Sequence, residues 1–155
     1  MDSVLNRPLC TWLAALCVLG GLALPAPSDA ALGDDVASVE HDRAAFGGAT
    51  KVTPQLTYEV HEITTAGGHV REYVAAGRVF AVAWDGQSVP DLKQLLGAHA
   101  ATFSALVQPQ PGNHHAVAIA NDRLVVSLRR LPRGVEGHVL VPSLLPSGVS
   151  PAALR

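Results

Sequence analysis

The clearest pattern of apolar and polar positions follows Val89-Pro90-Asp91. Apolar residues recur there every three or four positions, which is the spacing of one face of a helix. They are Leu92, Leu95, Leu96, Ala100, Phe103, Leu106 and Val107, with His99 on the same stripe. Asp91 and Gln94 predict a capping box at the start, and Pro109-Gln110-Pro111-Gly112 ends the element. The pattern predicts a long amphipathic helix, Asp91–Val107, that packs on a sheet.

Segments with a period of two lie on both sides of this helix and predict the sheet. The predicted strands are Thr57–Thr65, Val70–Ala75, Arg78–Trp84, His114–Ala120, Arg123–Arg130 and a short run at His138–Val141. The third of them has no polar face, because Val79, Ala81 and Ala83 alternate with Phe80, Val82 and Trp84. We therefore expect this strand to be central in the sheet and covered on both sides.

The turn of the second hairpin predicts which side chains share a face. A two-residue turn at Asn121-Asp122 pairs Ala120 with Arg123. One face then carries Val117, Ile119, Leu124, Val126 and Leu128, together with His115. The other face carries Ala116, Ala118, Arg123, Ser127 and Arg129, together with His114.

A shorter helix and an irregular end complete the predicted fold. Asp34 or Asp35 can cap a first helix that stops at Gly47-Gly48. After Leu131 the chain is rich in proline, and Ser150 ahead of Pro151 predicts a last capped turn. The sequence therefore predicts an α+β domain: an antiparallel sheet of five or six strands, the short first helix, and the long helix packed across one face.

The first thirty residues differ in composition from the rest of the chain. Arg7 precedes an apolar run, Leu9–Leu24, that is shorter than the ~20 residues of a transmembrane helix. Ser28-Asp29-Ala30 places small side chains where a signal peptidase requires them. We predict a signal peptide over residues 1–30, cleaved after Ala30, and a single domain over residues 31–155 that is periplasmic or secreted. A signal anchor is the alternative.

Composition excludes several classes of protein. With 155 residues, 48% hydrophobic and 15% charged, the chain is too apolar for a disordered protein and too short for several domains. A formal net charge of −2 argues against a nucleic-acid partner. Cys10 and Cys17 both lie in the predicted signal peptide, so no disulfide or thiol chemistry is expected in the exported domain.

Histidine does not form a recognisable metal motif in this chain. His61-Glu62 lacks the second histidine four residues later that a zinc protease needs. His114 and His115 are adjacent strand residues, so their side chains should point to opposite faces. The hydrolase nucleophile elbow, the phosphate-binding loop and the dinucleotide-binding loop are also missing. The sequence therefore predicts no metal and no cofactor.

Several ordered segments resemble one bacterial family. They are Ala31-Leu32-Gly33, Tyr58-Glu59-Val60-His61-Glu62-Ile63, Val70-Arg71-Glu72-Tyr73-Val74, Val79-Phe80-Ala81-Val82-Ala83-Trp84 and Pro90-Asp91-Leu92-Lys93-Gln94-Leu95-Leu96-Gly97. Together they are similar to domain of unknown function 2844, a family of small exported proteins of proteobacteria. The resemblance implies export and supplies no activity, ligand or catalytic residue.

Two groups of residues are candidate binding sites. The first is a basic surface on the second hairpin, made of Arg123, Arg129, Arg130 and His114 with Arg133 nearby. Its guanidinium groups would suit an anionic envelope component or an acidic protein, although a solvated face is the simpler explanation. The second group lies in the first hairpin, where a pivot at Gly67-Gly68 places Glu62 opposite Tyr73 and diagonal to Arg71. We expect a cross-strand ion pair there, with an acid–base role for Glu62 as the alternative.

The sequence favours a non-enzymatic domain that binds an envelope or secreted component. A periplasmic hydrolase or another enzyme is the first alternative, and it requires a concave pocket that joins His61, Glu62, Arg71 or Tyr73. A small-ligand carrier is the second, and it requires a cavity under the long helix lined by Phe80, Trp84 and Phe103. The oligomeric state is not determined by the sequence.

Overall fold

The computed structural model describes residues 32–107 and 116–154. Its strands are β1 (Ala49–Pro54), β2 (Glu59–Thr65), β3 (Gly68–Ala75), β4 (Arg78–Gly86), β5 (Ala116–Ala120), β6 (Val125–Leu131) and β7 (Gly134–Leu140). Its α-helices are α1 (Ala37–Phe46), α2 (Leu92–Leu96) and α3 (Ala100–Leu106), with 3₁₀ turns at Gly97–His99, Pro142–Leu144 and Pro151–Ala153.

Within these residues the seven strands form one antiparallel sheet in the order β1-β2-β3-β4-β7-β6-β5. The α+β class and the antiparallel sheet are confirmed, but the predicted count of five or six strands is wrong. The additional strand is β1, an edge strand whose residues are all exposed. Because it has no buried face and ends at Pro54, it lacks the alternation of apolar and polar residues by which a strand is recognised.

Strand β4 is the fourth of the seven and is covered on both faces, as predicted. Every side chain from Val79 to Trp84 is at most 2% exposed. The predicted alternation fails at two residues, because a β-bulge lies between the pairs Tyr73 with Ala81 and Val74 with Val79. Val79 lies on the side of Trp84 and not with Ala81 and Ala83. Phe80 is the extra residue of the bulge, and its side chain therefore packs with Ala81 and not on the side of Trp84.

Two apolar clusters lie on the two faces of the sheet. The helix-side cluster includes Val79, Val82 and Trp84 together with residues of all three helices. The opposite cluster contains Tyr73, Phe80, Ala81, Ala83, Leu140 and Leu154. Leu154 follows the last 3₁₀ turn, which Ser150 caps by accepting a hydrogen bond from the Ala152 amide, as predicted. The C-terminal segment therefore covers part of the sheet face that the helices leave open.

The long helix lies where the apolar stripe predicts it but is not continuous. Asp91 caps α2 by accepting hydrogen bonds from the amides of Lys93 and Gln94. At Gly97 the backbone takes φ 44° and ψ −120°, a conformation that only glycine adopts without strain. The α-helix stops there, a 3₁₀ turn follows, and α3 begins at Ala100. None of the helices in the described ranges is long and apolar enough to cross a membrane.

In both hairpins the side chains lie on the predicted faces, but the strand pairing is shifted by two residues from the predicted register. Glu62 pairs with Arg71, not with Tyr73, because the turn consists of Ala66 and Gly67. Ala120 pairs with Val125, not with Arg123. The second turn is longer than predicted because the Asn121 side chain accepts hydrogen bonds from two amides of the turn. A shift of two leaves each side chain on its own face, since strand residues alternate with a period of two.

Gly137 in β7 provides a test of the packing around β4. It lies between Trp84 and Leu128 in the two neighbouring strands, and a Cβ atom at this position would overlap the indole ring. We expect Gly137→Ala to lower the free energy of unfolding by about 1–3 kcal/mol, measured by chemical denaturation. In a Trp84→Leu background, Gly137→Ala should lower the free energy of unfolding by a smaller amount, because the indole ring that the added methyl group would contact is absent. Equal losses in both backgrounds would contradict this explanation.

Candidate functional site

Four charged side chains on the open sheet face form a network across β2, β3 and β4. Arg71 Nε donates to Glu62 Oε2 at 2.8 Å and Arg71 Nη1 donates to Asp85 Oδ1 at 2.7 Å. His69 Nδ1 lies 3.1 Å from Asp85 Oδ2. Partial burial opposes the charge on Asp85, but the hydrogen bonds from His69 and Arg71 outweigh it and lower the pKa of this carboxyl. The predicted ion pair of Glu62 with Arg71 is therefore present, and it extends to Asp85.

Tyr73 lies on the same sheet face as this network, and its ring packs against other aromatic rings. Its ring centroid lies 6.0 Å from that of Tyr58 and 6.1 Å from that of Phe80, within the apolar cluster of the same sheet face. His61 is farther from the network, because it alternates with Glu62 along β2 and faces the helices. The pocket that would join His61, Glu62, Arg71 and Tyr73 is therefore not formed by the described residues.

The predicted arginine residues do not form one surface. Arg123 lies in the turn at one end of the β5–β6 hairpin, and Arg129 lies toward the other end of β6. Arg129 pairs with Glu136 at 2.9 Å, and Arg130 projects to the opposite face because neighbouring strand residues alternate. His114 lies outside the described residues. The sequence pattern located the arginines on the hairpin but could not reveal the separation between its ends.

A cavity of about 290 Å³ lies between the helices and the β5–β6–β7 part of the sheet. Most of its lining is apolar: Trp84, Val89, Leu92, Phe103, Val107, Val117, Leu128 and Val135, together with Ala116, Arg129, Arg130 and Glu136. Trp84 and Phe103 are two of the three aromatic residues expected under the helix. Phe80 is absent from the lining because the β4 bulge directs it to the other face.

Arg130 is the charged residue in the cavity lining that can form an ion pair with a ligand. Arg129 and Glu136 neutralise each other, whereas Arg130 has no acidic partner among the described residues. A second hollow of about 700 Å³ lies at the turns near Gly67 and Gly134, but backbone and turn residues form much of its wall. The cavity under the helices is thus the one that combines an aromatic floor with an unpaired guanidinium group.

A buried polar junction joins α1, α2 and β3. Asp42 of α1 and Glu72 of β3 are 0% and 2% exposed, and a side-chain hydrogen bond connects them. Gln94 of α2 donates from Nε2 to Asp42 Oδ1 at 2.6 Å. Gln94 therefore does not complete the predicted capping box, although Asp91 caps the helix. Glu72 alternates with the buried Val70 and Val74 in β3, and Asp42 lies between Val39 and Phe46 at helical spacing in α1, so periodicity was the signal that could have indicated their burial.

Burial, the hydrogen bond with Asp42 and the negative charge of Asp42 together raise the pKa of Glu72 to about 9, and burial contributes most. Two carboxyl groups in contact cannot both ionise without water or a cation, so the pair holds one proton at neutral pH. The pair is separate from the cavity, whose lining includes neither residue. In residues 32–107 and 116–154, no group of three His, Cys, Asp or Glu side chains could hold a metal ion.

The fold and the cavity together define a class: an α+β domain with one twisted antiparallel sheet and a small apolar pocket under its helices. The chain belongs to the family described as protein of unknown function (DUF2844), whose sequence profile matches residues 28–154. This confirms the resemblance noted in the sequence and extends it through the C-terminal segment.

Other comparisons add little to the family assignment. No curated protein matches the chain. The chain is similar to the crystal structure of a cysteine-rich secretory protein from Staphylococcus aureus subsp. aureus Mu50, with 13% sequence identity and a TM-score of 0.44. That similarity covers 74% of this chain and 46% of the other, so the chain corresponds to less than half of that protein.

The Asp42–Glu72 pair predicts how stability changes with pH. The folded protein retains a proton on Glu72 that the unfolded chain releases above the ordinary pKa of 4.5. The free energy of unfolding should therefore fall as pH rises from about 4.5 to about 9, because the unfolded state binds fewer protons. Glu72→Gln keeps the shape and a hydrogen-bond donor, so it should flatten this slope and raise the melting temperature most at the alkaline end.

Glu62→Gln is the matched control, because it removes a carboxylate that lies on the opposite face of the same strand pair. It should leave the slope unchanged. His61 lies opposite Glu72 in β2, so the measurement is repeated in a His61→Gln background, in which the imidazole is absent. A Glu72→Gln protein that loses stability with pH as steeply as the wild type would refute the shared proton.

Proposed function

We propose that the protein is an exported, non-enzymatic binding domain whose ligand is a small amphipathic anion. The observation that carries the proposal is the cavity under the helices, which combines an apolar wall with the unpaired guanidinium group of Arg130. This is the small-ligand carrier that the sequence left as the second alternative, and it takes the place of the envelope or secreted partner that the sequence favoured. The family assignment is consistent with it and contributes no activity.

The size and lining of the cavity define the ligand. Its volume of about 290 Å³ is close to the lower end of the roughly 300–1,000 Å³ typical of ligand pockets. Trp84 and Phe103 offer aromatic surface, and aliphatic side chains form most of the remaining wall. A short alkyl chain or a single ring system fits these dimensions, whereas a folded protein partner does not.

Charge determines which end group the ligand carries. Arg129 is paired with Glu136, so the local charge that remains at the cavity comes from Arg130. A carboxylate, phosphate or sulfonate can accept two parallel hydrogen bonds from a guanidinium group. The ligand therefore places its apolar part against Trp84 and its anionic end at Arg130.

Export is the second part of the proposal and rests on the sequence of residues 1–30. The apolar run and the small residues before Ala31 support cleavage after Ala30 and a periplasmic or secreted location. Intact mass of the protein recovered from the periplasm and the medium tests this directly. A protein that retains residues 1–30 in the membrane fraction would instead identify a signal anchor.

Trp84 provides an intrinsic probe of the cavity, because it is the one tryptophan in residues 31–155. We expect octanoate to change its fluorescence in a saturable way and to raise the melting temperature. Octanol has the same chain without the charge and should bind more weakly. Arg130→Gln should weaken octanoate binding about tenfold and leave octanol binding unchanged, since it removes one charge-assisted contact.

Two further variants separate the parts of this proposal. Arg133→Gln is the matched control, because Arg133 is exposed in the nearby β6–β7 turn and does not line the cavity. Val89 lines the cavity and is 49% exposed, so Val89→Phe should fill its mouth and abolish binding of both probes. Absence of a saturable response to either probe refutes the ligand site. Equal octanoate affinity in wild type and Arg130→Gln refutes the anion specificity.

A further inference from the structure

The two edges of the sheet differ in how they are protected. Edge strand β1 carries Lys51 and ends at Pro54, two features that prevent pairing with another chain. Edge strand β5 has the sequence Ala-Val-Ala-Ile-Ala and contains no charge, proline or bulge. Among the described residues only β6 pairs with it, and a strand with one such partner can bind a further strand through the backbone groups on its other side.

The sequence of β5 is complementary to itself when read antiparallel. If Ala118 lies on a two-fold axis, Val117 is opposite Ile119 of a second copy, and Ala116 is opposite Ala120. Each β-branched side chain then meets another β-branched side chain, and each alanine meets an alanine. The β-branched side chains pack well on neighbouring strands, the alanine pairs fit without a clash, and no charged group of β5 opposes the contact. An unrelated extended segment would not require this symmetry.

The exposure of β5 fits this arrangement. Ala116, Ala118 and Ala120 are exposed on the open face, and Val117 and Ile119 are half-buried on the helix side. A second β5 strand would bury the exposed flanks of Val117 and Ile119, and the small alanine side chains would allow close approach. An isologous contact of this kind closes on itself and does not propagate into fibres.

We propose that β5 is a homodimer interface: it pairs antiparallel with β5 of a second copy about a two-fold axis at Ala118, joining the two sheets. This surface does not depend on the cavity ligand. Its partner is the same chain, and its contacts are backbone hydrogen bonds together with the Val117–Ile119 pairs.

Charge complementation tests the interface in the chain that begins at Ala31. Ala118→Lys and Ala118→Glu each place two like charges opposite each other, so each variant alone should be monomeric by light scattering after gel filtration. A mixture of the two should form a heterodimer. Ala118 is exposed in the single chain, and circular dichroism and melting temperature should therefore match those of the wild type. Thr53→Lys on edge β1 is the matched control and should remain dimeric.

Cysteine cross-linking tests the register. Directly opposite Cβ atoms lie about 4.5–5.5 Å apart in antiparallel strands, near the distance that a disulfide spans. Ala118→Cys should cross-link to itself on mild oxidation. Ala120→Cys should not do so, but it should cross-link to Ala116→Cys. A wild-type chain that is monomeric at its highest soluble concentration overturns the proposal, as does a dimer that Ala118→Lys leaves intact or Thr53→Lys dissociates.

Discussion

The absence of a polar face on strand β4 is the constraint on which the rest of the structure depends. Since every side chain from Val79 to Trp84 is buried, both faces at the centre of the sheet must be covered. The helices cover one face, and the segment after β7 returns to cover part of the other. The bulge at Phe80 divides the large side chains between the two covers, with Phe80 under the C-terminal segment and Trp84 under the helices.

The helix-side cover contains one polar junction that fixes its geometry. Burying two carboxyl groups is costly unless they are hydrogen-bonded, and the Asp42–Glu72 pair achieves this with a shared proton and the Gln94 amide. The junction holds α1 and α2 at a defined position over β3. Because α2 continues through Gly97 into α3, the same junction helps to position Leu92 and Phe103, which form one wall of the cavity.

Features that depend on local periodicity could be predicted from the sequence. Features that depend on turn length, a β-bulge or contacts between distant elements could not. Faces were correct in both hairpins because a shift of two residues preserves the period-two alternation. Val79 and Phe80 were assigned to the wrong faces because a bulge leaves no signal in an all-apolar strand. Glu72 alternates with Val70 and Val74 on a buried face, but its pairing with Asp42 depends on another element and could not be predicted. In the candidate site, Trp84 and Phe103 followed from their apolar stripes, whereas the pairing of Arg129 with Glu136 required the register.

The cavity and the β5 edge share residues, so the two proposed contacts are physically connected. Ala116 and Val117 belong to β5 and also line the cavity. Pairing of β5 with a second strand would fix the backbone of these residues and thus one wall of the cavity. A ligand that binds a cavity with this wall already fixed loses less conformational entropy than one that must order it. By thermodynamic reciprocity, any gain in ligand affinity on dimerisation equals the gain in dimer affinity on ligand binding.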